Sequence, residues 1–133
     1  MTAFKAMIID DQKTMRSILR NMLAQINIKS VQEADDGSSA LAKLAECGGD
    51  PPDIIICDLH METMDGMEFV SHIRRGKTPL ERDHPVIILT GNKDSLLAEV
   101  TEQAGATKVL HKPVSTGTLK MAIVHAVGYA FSR

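Results

Sequence analysis

Four polar stations in the chain, Asp10-Asp11, Asp58, Thr90 and Lys112, carry residue types that can handle a metal ion and a phosphoryl group. Each stands at the end of a short apolar run. Residues 4–9 precede the aspartate pair, 54–57 precede Asp58, 86–89 precede Thr90, and Val109-Leu110 come just before His111-Lys112. Gathered in one cleft, three carboxylates repel strongly. At roughly 4 Å and an effective dielectric near 20, each like-charge pair costs about 4 kcal/mol. Either the pKa values separate or a cation enters. A site of oxygen ligands with room for water suits Mg²⁺, which keeps several waters and often takes a phosphate oxygen as a further ligand. Zinc fits poorly, because neither the cysteines nor the histidines show its ligand spacing. The Lys112 ammonium and Thr90 hydroxyl are suitable partners for a phosphoryl group, and an aspartate can act as nucleophile and become an acyl phosphate. Metal and lysine would offset charge on the transferring group, the main source of catalysis in phosphoryl transfer.

The elements that must position these groups alternate along the chain. After the first run, Met15, Ile18, Leu19, Met22, Leu23 and Ile26 recur at helical spacing and predict one apolar face. Residues 31–34 read as a second strand ended by Asp35-Asp36-Gly37. Ala40, Leu41, Leu44 and Ala45 mark a short helix stopped by Gly48-Gly49 and broken off by Pro51-Pro52. The unbroken run Ile54, Ile55, Ile56, Cys57 predicts a strand covered on both faces. Asp65 can cap a third helix with Met67, Phe69, Val70 and Ile73 inside. Segment 74–84 reads as a solvated connection. A fourth strand over 86–89 leads to a helix with Leu96, Leu97, Val100 and Ala104 on one face, closed by Gly105. A brief fifth strand follows, and then a helix capped by Ser115 with Leu119, Ile123, Val127 and Ala130 aligned. Five strands alternating with five helices predict an open, doubly wound parallel α/β sheet covered on both sides. In the flavodoxin-like strand order 2-1-3-4-5, the first and third strands are neighbours, and Asp10, Asp11 and Asp58 meet.

Composition narrows the function classes. At 133 residues with 44% apolar content, the chain can build one core without staples. A net charge of −2 argues against a nucleic-acid binder driven by phosphate neutralisation. Cys47 and Cys57 form no C-x-x-C pair and read as small apolar residues in a reducing compartment. With no signal pattern and no run long enough to span a membrane, a single soluble domain over 1–133, in the cytoplasm and without an output module, is expected.

In this order and on these elements the residues resemble a response regulator receiver domain of two-component signalling, of the stand-alone, chemotaxis-regulator-like type. The resemblance rests on Asp10-Asp11, Glu33-Ala34, Asp36-Gly37, Ala40-Leu41, Asp58, Met61, Met64, Asp65-Gly66, Thr90, Gly105-Ala106 and Lys112-Pro113, and covers essentially the whole chain. It implies that Asp58 accepts phosphate from a phosphohistidine on a sensor histidine kinase or phosphotransfer protein. It implies further that Asp11 and Asp58 ligate Mg²⁺, with Asp10 helping directly or through water and the His60 backbone carbonyl as another ligand. Thr90 and Lys112 would contact the phosphoryl group, and the bond before Pro113 would be cis, aiming Lys112 inward. The chain would be a phosphoacceptor with intrinsic self-phosphorylation and autodephosphorylation chemistry. Its output would be a docking surface on the fourth helix, fifth strand and fifth helix for a downstream protein, with no nucleic acid and no membrane insertion.

Three departures from the family pattern stand out. Many relatives carry an aromatic residue where this chain has Val109, so coupling must run through Thr90 and the following loop. Glu62 replaces a frequent proline in the acceptor loop. His60 and Asn92, two residues beyond Asp58 and Thr90, border the phosphoryl position and are expected to tune its hydrolysis. Two other functions compete. An aspartyl-phosphate phosphatase for small molecules would carry D-x-D at the first strand, but here the aspartates are adjacent and the best nucleophile follows the third. An FMN carrier would need a first loop rich in Ser, Thr and Gly, whereas Asp10-Asp11 would repel the phosphate. The remaining histidines read as surface or boundary residues, the methionines as core filler, and Arg74, Arg75, Lys77 and Arg82 as part of the solvated connection.

Overall fold

Alternating apolar side chains on the central strands set the architecture, because each face needs its own layer of helices. The computed structural model describes residues 4–91 and 95–128. Its elements run β1 (Lys5–Ile9), α1 (Lys13–Gln25), β2 (Ser30–Ala34), α2 (Gly37–Glu46), β3 (Ile54–Asp58), α3 (Gly66–Arg74), β4 (Val86–Thr90), α4 (Ser95–Gln103), β5 (Lys108–His111) and α5 (Thr116–Val127). The strands form one parallel sheet in the order β2-β1-β3-β4-β5. Every residue of β3 and β4 is buried. Ile55, Cys57, Val86 and Ile88 pack with Phe69, Val70 and Ile73 on one side. Ile54, Ile56, Ile87 and Leu89 pack with Leu19, Leu23, Leu119 and Ile123 on the other. Edge strand β2 buries only Ala34.

Side-chain caps start three of the helices. Asp36, Asp65 and Ser115 accept the amides of Ser39, Glu68 and Thr118 at 2.7, 2.8 and 3.1 Å, satisfying donors that a first helical turn leaves open. Gly128, at φ 78°, ends α5 in the left-handed conformation. Ala130, expected on that helix, lies outside the described residues. Among the described residues, no helix is long and apolar enough to cross a membrane.

The structure corrects three sequence-based expectations. Ile18 is 43% exposed; at about 100° per residue it lies at the margin of an apolar arc wider than the sheet covers. On α4, Leu96 and Val100 are exposed, whereas Leu97 and Ala98 pack inward and Thr101 is fully buried. Thr101 is tolerated there because its Oγ1 donates to the Leu97 carbonyl at 2.7 Å. Segment 74–84 is not simply solvated. Leu80 is buried, and Arg74 is a half-buried staple. Its Nε donates to the Gly105 carbonyl at 2.8 Å, and its Nη1 donates to the carbonyls of Arg82 and His84 at 2.8 and 2.7 Å. Gly105, at φ 123°, leaves room for this, since a Cβ there would lie 2.7 Å from Arg74 Cγ.

Replacing Arg74 with Met keeps the aliphatic stem but strands these carbonyls. Arg74→Met is expected to lower unfolding stability by about 2–3 kcal/mol in urea titrations; a change within about 0.5 kcal/mol, typical of a surface site, would return Arg74 to the solvated reading.

Candidate phosphoacceptor and metal site

Strand register brings the acids together. Ile9 pairs with Cys57, so the next residues, Asp10 and Asp58, leave adjacent strands side by side. Asp10 and Asp58 are buried, whereas Asp11 is exposed. One carboxylate oxygen from each of the three lies within 4.8 Å of the others. Lys112 Nζ stands 2.9 Å from Asp58 Oδ1 and 3.7 Å from Asp10 Oδ2. Its backbone amide donates to the Thr90 carbonyl at 2.8 Å, joining β5 to β4 at the cleft. The Lys112–Pro113 bond is cis. Thr90 is fully buried, and its Oγ1 lies 3.5 Å from Nε2 of His60. Asn92 lies outside the described residues.

Asp10 is held from several directions. Its amide donates to the Ala34 carbonyl at 3.1 Å, its carbonyl accepts from Arg16 Nη1 at 2.6 Å, and its Oδ1 accepts from the Gln12 amide at 2.9 Å. Its Oδ2 is buried without a hydrogen-bond partner among the described residues. Burial raises the Asp10 pKa above its ordinary value, and the charges of Asp58 and Asp11 push the same way; the Gln12 amide and Lys112 oppose them. An orphaned carboxylate oxygen beside two further carboxylates is what an all-oxygen cation site requires, and this donor set fits Mg²⁺.

The loop after Asp58 turns back tightly onto its own strand. The Gly66 amide donates to the Leu59 carbonyl at 2.9 Å. A Cβ on Gly66 would stand 2.7 Å from the Asp58 carbonyl oxygen, so only glycine fits. Cys57, immediately before Asp58, is fully buried, and its thiol donates to the Asp58 carbonyl at 3.3 Å. Burial, reinforced by the charge of Asp58, raises that thiol's pKa well above its ordinary value. Val109 is buried in the core layer that also holds Val86 and Ile88.

Sequence reasoning singled out Asp10, Asp11, Asp58, Thr90, His60 and Lys112, and the fold brings their side chains to one end of the sheet. It missed Gln12 and Arg16, which grip Asp10 from α1 and its cap. An arginine five residues beyond an aspartate pair is the one signal that could have pointed to Arg16.

This is the fold and acidic cleft of a receiver domain, and comparison with known proteins agrees. Residues 6–124 match the family model for the response regulator receiver domain, and the chain belongs to that family. A probable chemotaxis protein CheY from Rhizobium etli is 34% identical over 124 residues, covering 93% of this chain and 92% of that one. The protein is thus a CheY-like receiver domain of two-component signalling. A response regulator receiver domain protein from Clostridium thermocellum superimposes with a TM-score of 0.82 at 28% identity, over 96% of this chain and 95% of that one. The receiver domain of a Pseudomonas aeruginosa sensor histidine kinase, solved with a magnesium ion coordinated in its active-site cleft, gives a TM-score of 0.81 at 23% identity, over 96% and 99% of the two chains.

Because the folded-state pKa of Asp10 is raised, the native state holds its proton more tightly than the unfolded chain does. Without metal, this group therefore costs stability as pH rises through the ordinary carboxylate value of 3.8 and beyond. Asp10→Asn is expected to raise stability in metal-free buffer at pH 7. The advantage should fade below the ordinary carboxylate range. Thermal melts across pH check this; a mutant less stable than wild type at pH 7 would contradict it.

Proposed function

We propose that Asp58 is the phosphoacceptor of a phosphorylation-dependent signalling switch. An Asp58 carboxylate oxygen attacks the phosphorus of a phosphohistidine on a sensor kinase or phosphotransfer protein. The P–O bond of an acyl phosphate forms, the P–N bond breaks, and its electron pair returns to the imidazole. The observation that most supports this reading is the Lys112 ammonium 2.9 Å from Asp58 Oδ1, facing the orphaned Oδ2 of Asp10. Lys112 supplies a fixed positive charge for the phosphoryl oxygens, and the buried Thr90 hydroxyl would turn toward them once the acceptor is modified. The carboxylates of Asp10, Asp11 and Asp58 and the backbone carbonyl of His60 would hold Mg²⁺. When bound, that ion adds positive charge that offsets the negative charge of the transferring group. The chain does not turn over an external substrate; it carries and loses its own phosphate.

The output is a change in docking. Phosphorylation adds negative charge at Asp58 and draws Thr90 toward it, and α4, β5 and α5 rearrange to present a different surface to a downstream protein. Leu96, Val100 and Met121, at 64, 42 and 60% exposure, supply apolar contact area there. A ligand shifts such an equilibrium only by its differential affinity for the two states. The likeness to a chemotaxis protein supports a place in a chemotaxis-type pathway in the cytoplasm.

Acetyl phosphate with Mg²⁺ is expected to label the wild-type protein stoichiometrically by intact mass. Asp58→Asn or a chelator should abolish the label, and a retained label in the mutant would move the acceptor elsewhere. His60, whose ring lies beside Thr90 at the cleft mouth, tunes access of water. His60→Ala is expected to change the rate of phosphate loss severalfold, and equal rates would remove that role.

A further inference from the structure

We infer that Arg16 and Glu33 are positioning residues for the divalent-ion site, holding the turn that carries Asp10 and Asp11 in the orientation the ion needs. The inference rests on the reading of Asp10, Asp11 and Asp58 as Mg²⁺ ligands. Arg16 Nη1 donates to the Asp10 carbonyl at 2.6 Å, and its Nε donates to Glu33 Oε1 at 2.9 Å. The Arg16 side chain is only 16% exposed, so this grip is shielded from solvent. Glu33 is itself fixed. Its Oε2 accepts from Arg20 Nε at 2.8 Å, and its backbone carbonyl accepts from Lys43 of α2. Although burial opposes it, bonds from Arg20 and Arg16 hold the Glu33 carboxyl below its ordinary pKa, so it stays ionised at neutral pH. A connected set of charged groups thus runs from α2 through β2 and α1 to the backbone of a buried carboxylate whose Oδ2 has no hydrogen-bond partner among the described residues.

Mg²⁺ demands near-ideal geometry, so it is sensitive to how its ligands are held. Arg16 touches the carbonyl and not the carboxylate, so it acts by fixing the turn. Charge alone predicts the opposite outcome. A cation near a dication repels it, and removing Arg16 would tighten Mg²⁺ binding if electrostatics were its whole effect. Loss of positioning weakens it.

Calorimetric titration of the full chain with MgCl₂ separates these cases, alongside metal-free thermal unfolding. Arg16→Met is expected to weaken Mg²⁺ binding about tenfold, the lower end of what supporting groups around metal ligands contribute. Glu33→Gln acts through Arg16, so adding it to Arg16→Met should weaken binding no further. Arg16→Lys, which can reach the carbonyl but cannot fork to Glu33, should fall between and stands in if Arg16→Met does not fold. Arg74→Met, which destabilises the fold away from the cleft, should leave Mg²⁺ affinity unchanged. Unchanged or tighter binding in Arg16→Met, or full additivity with Glu33→Gln, overturns the inference while leaving the metal site intact. A wild-type protein that does not bind Mg²⁺ overturns the metal-site reading and this inference with it.

Discussion

The constraint on which the structure depends is the crowding of negative charge where β1 and β3 end. Two buried aspartates emerge side by side, a third stands within reach, and the ammonium of Lys112 answers them. Such an arrangement is unfavourable in isolation, since a buried charge without full compensation costs several kcal/mol or shifts its pKa. The rest of the molecule makes it tolerable. Two fully buried central strands supply a platform that cannot yield, and backbone hydrogen bonds fix Asp10 where it would otherwise turn toward solvent.

The two faces of the sheet contribute differently. The layer of α1 and α5 holds the acid pair, through Arg16 and the α1 cap, against β1 and β2. The layer of α2, α3 and α4 carries the loop after Asp58 and a helix, α4, in which Leu97, Ala98 and the buried Thr101 face the core while Leu96 and Val100 face outward. With Val109 buried on that side, no aromatic side chain at this position can swing between surface and interior.

Much of this was legible in the residues. A strand buried on both faces has to be a continuous apolar run, so the ends of β1, β3 and β4 were plain, and with them the stations of Asp10, Asp58 and Thr90. The caps at Asp65 and Ser115 followed from local chemistry alone. What escaped depends on partners distant in sequence. Arg74 looks like any charged loop residue until Gly105, Arg82 and His84 turn their carbonyls toward it. Thr101 looks polar until its hydroxyl is satisfied within its own helix. Ile18 and Val100 look like core because periodicity records a stripe and not how much of it the sheet can cover. Arg16 is the same lesson at the site: its value lies in one contact to Asp10 and one to Glu33, which only the fold brings together.

The thiol next to Asp58 carries a consequence of its own. Cys57 is sealed in the interior with its proton retained, and its hydrogen points at the main chain of Asp58. A sulfur nucleophile one residue away would otherwise be a rival for any activated phosphorus and an easy target for peroxide. Kept as a neutral thiol and walled off from solvent, it is neither. The main chain that carries Asp58 is therefore insulated from the oxidative state of its surroundings.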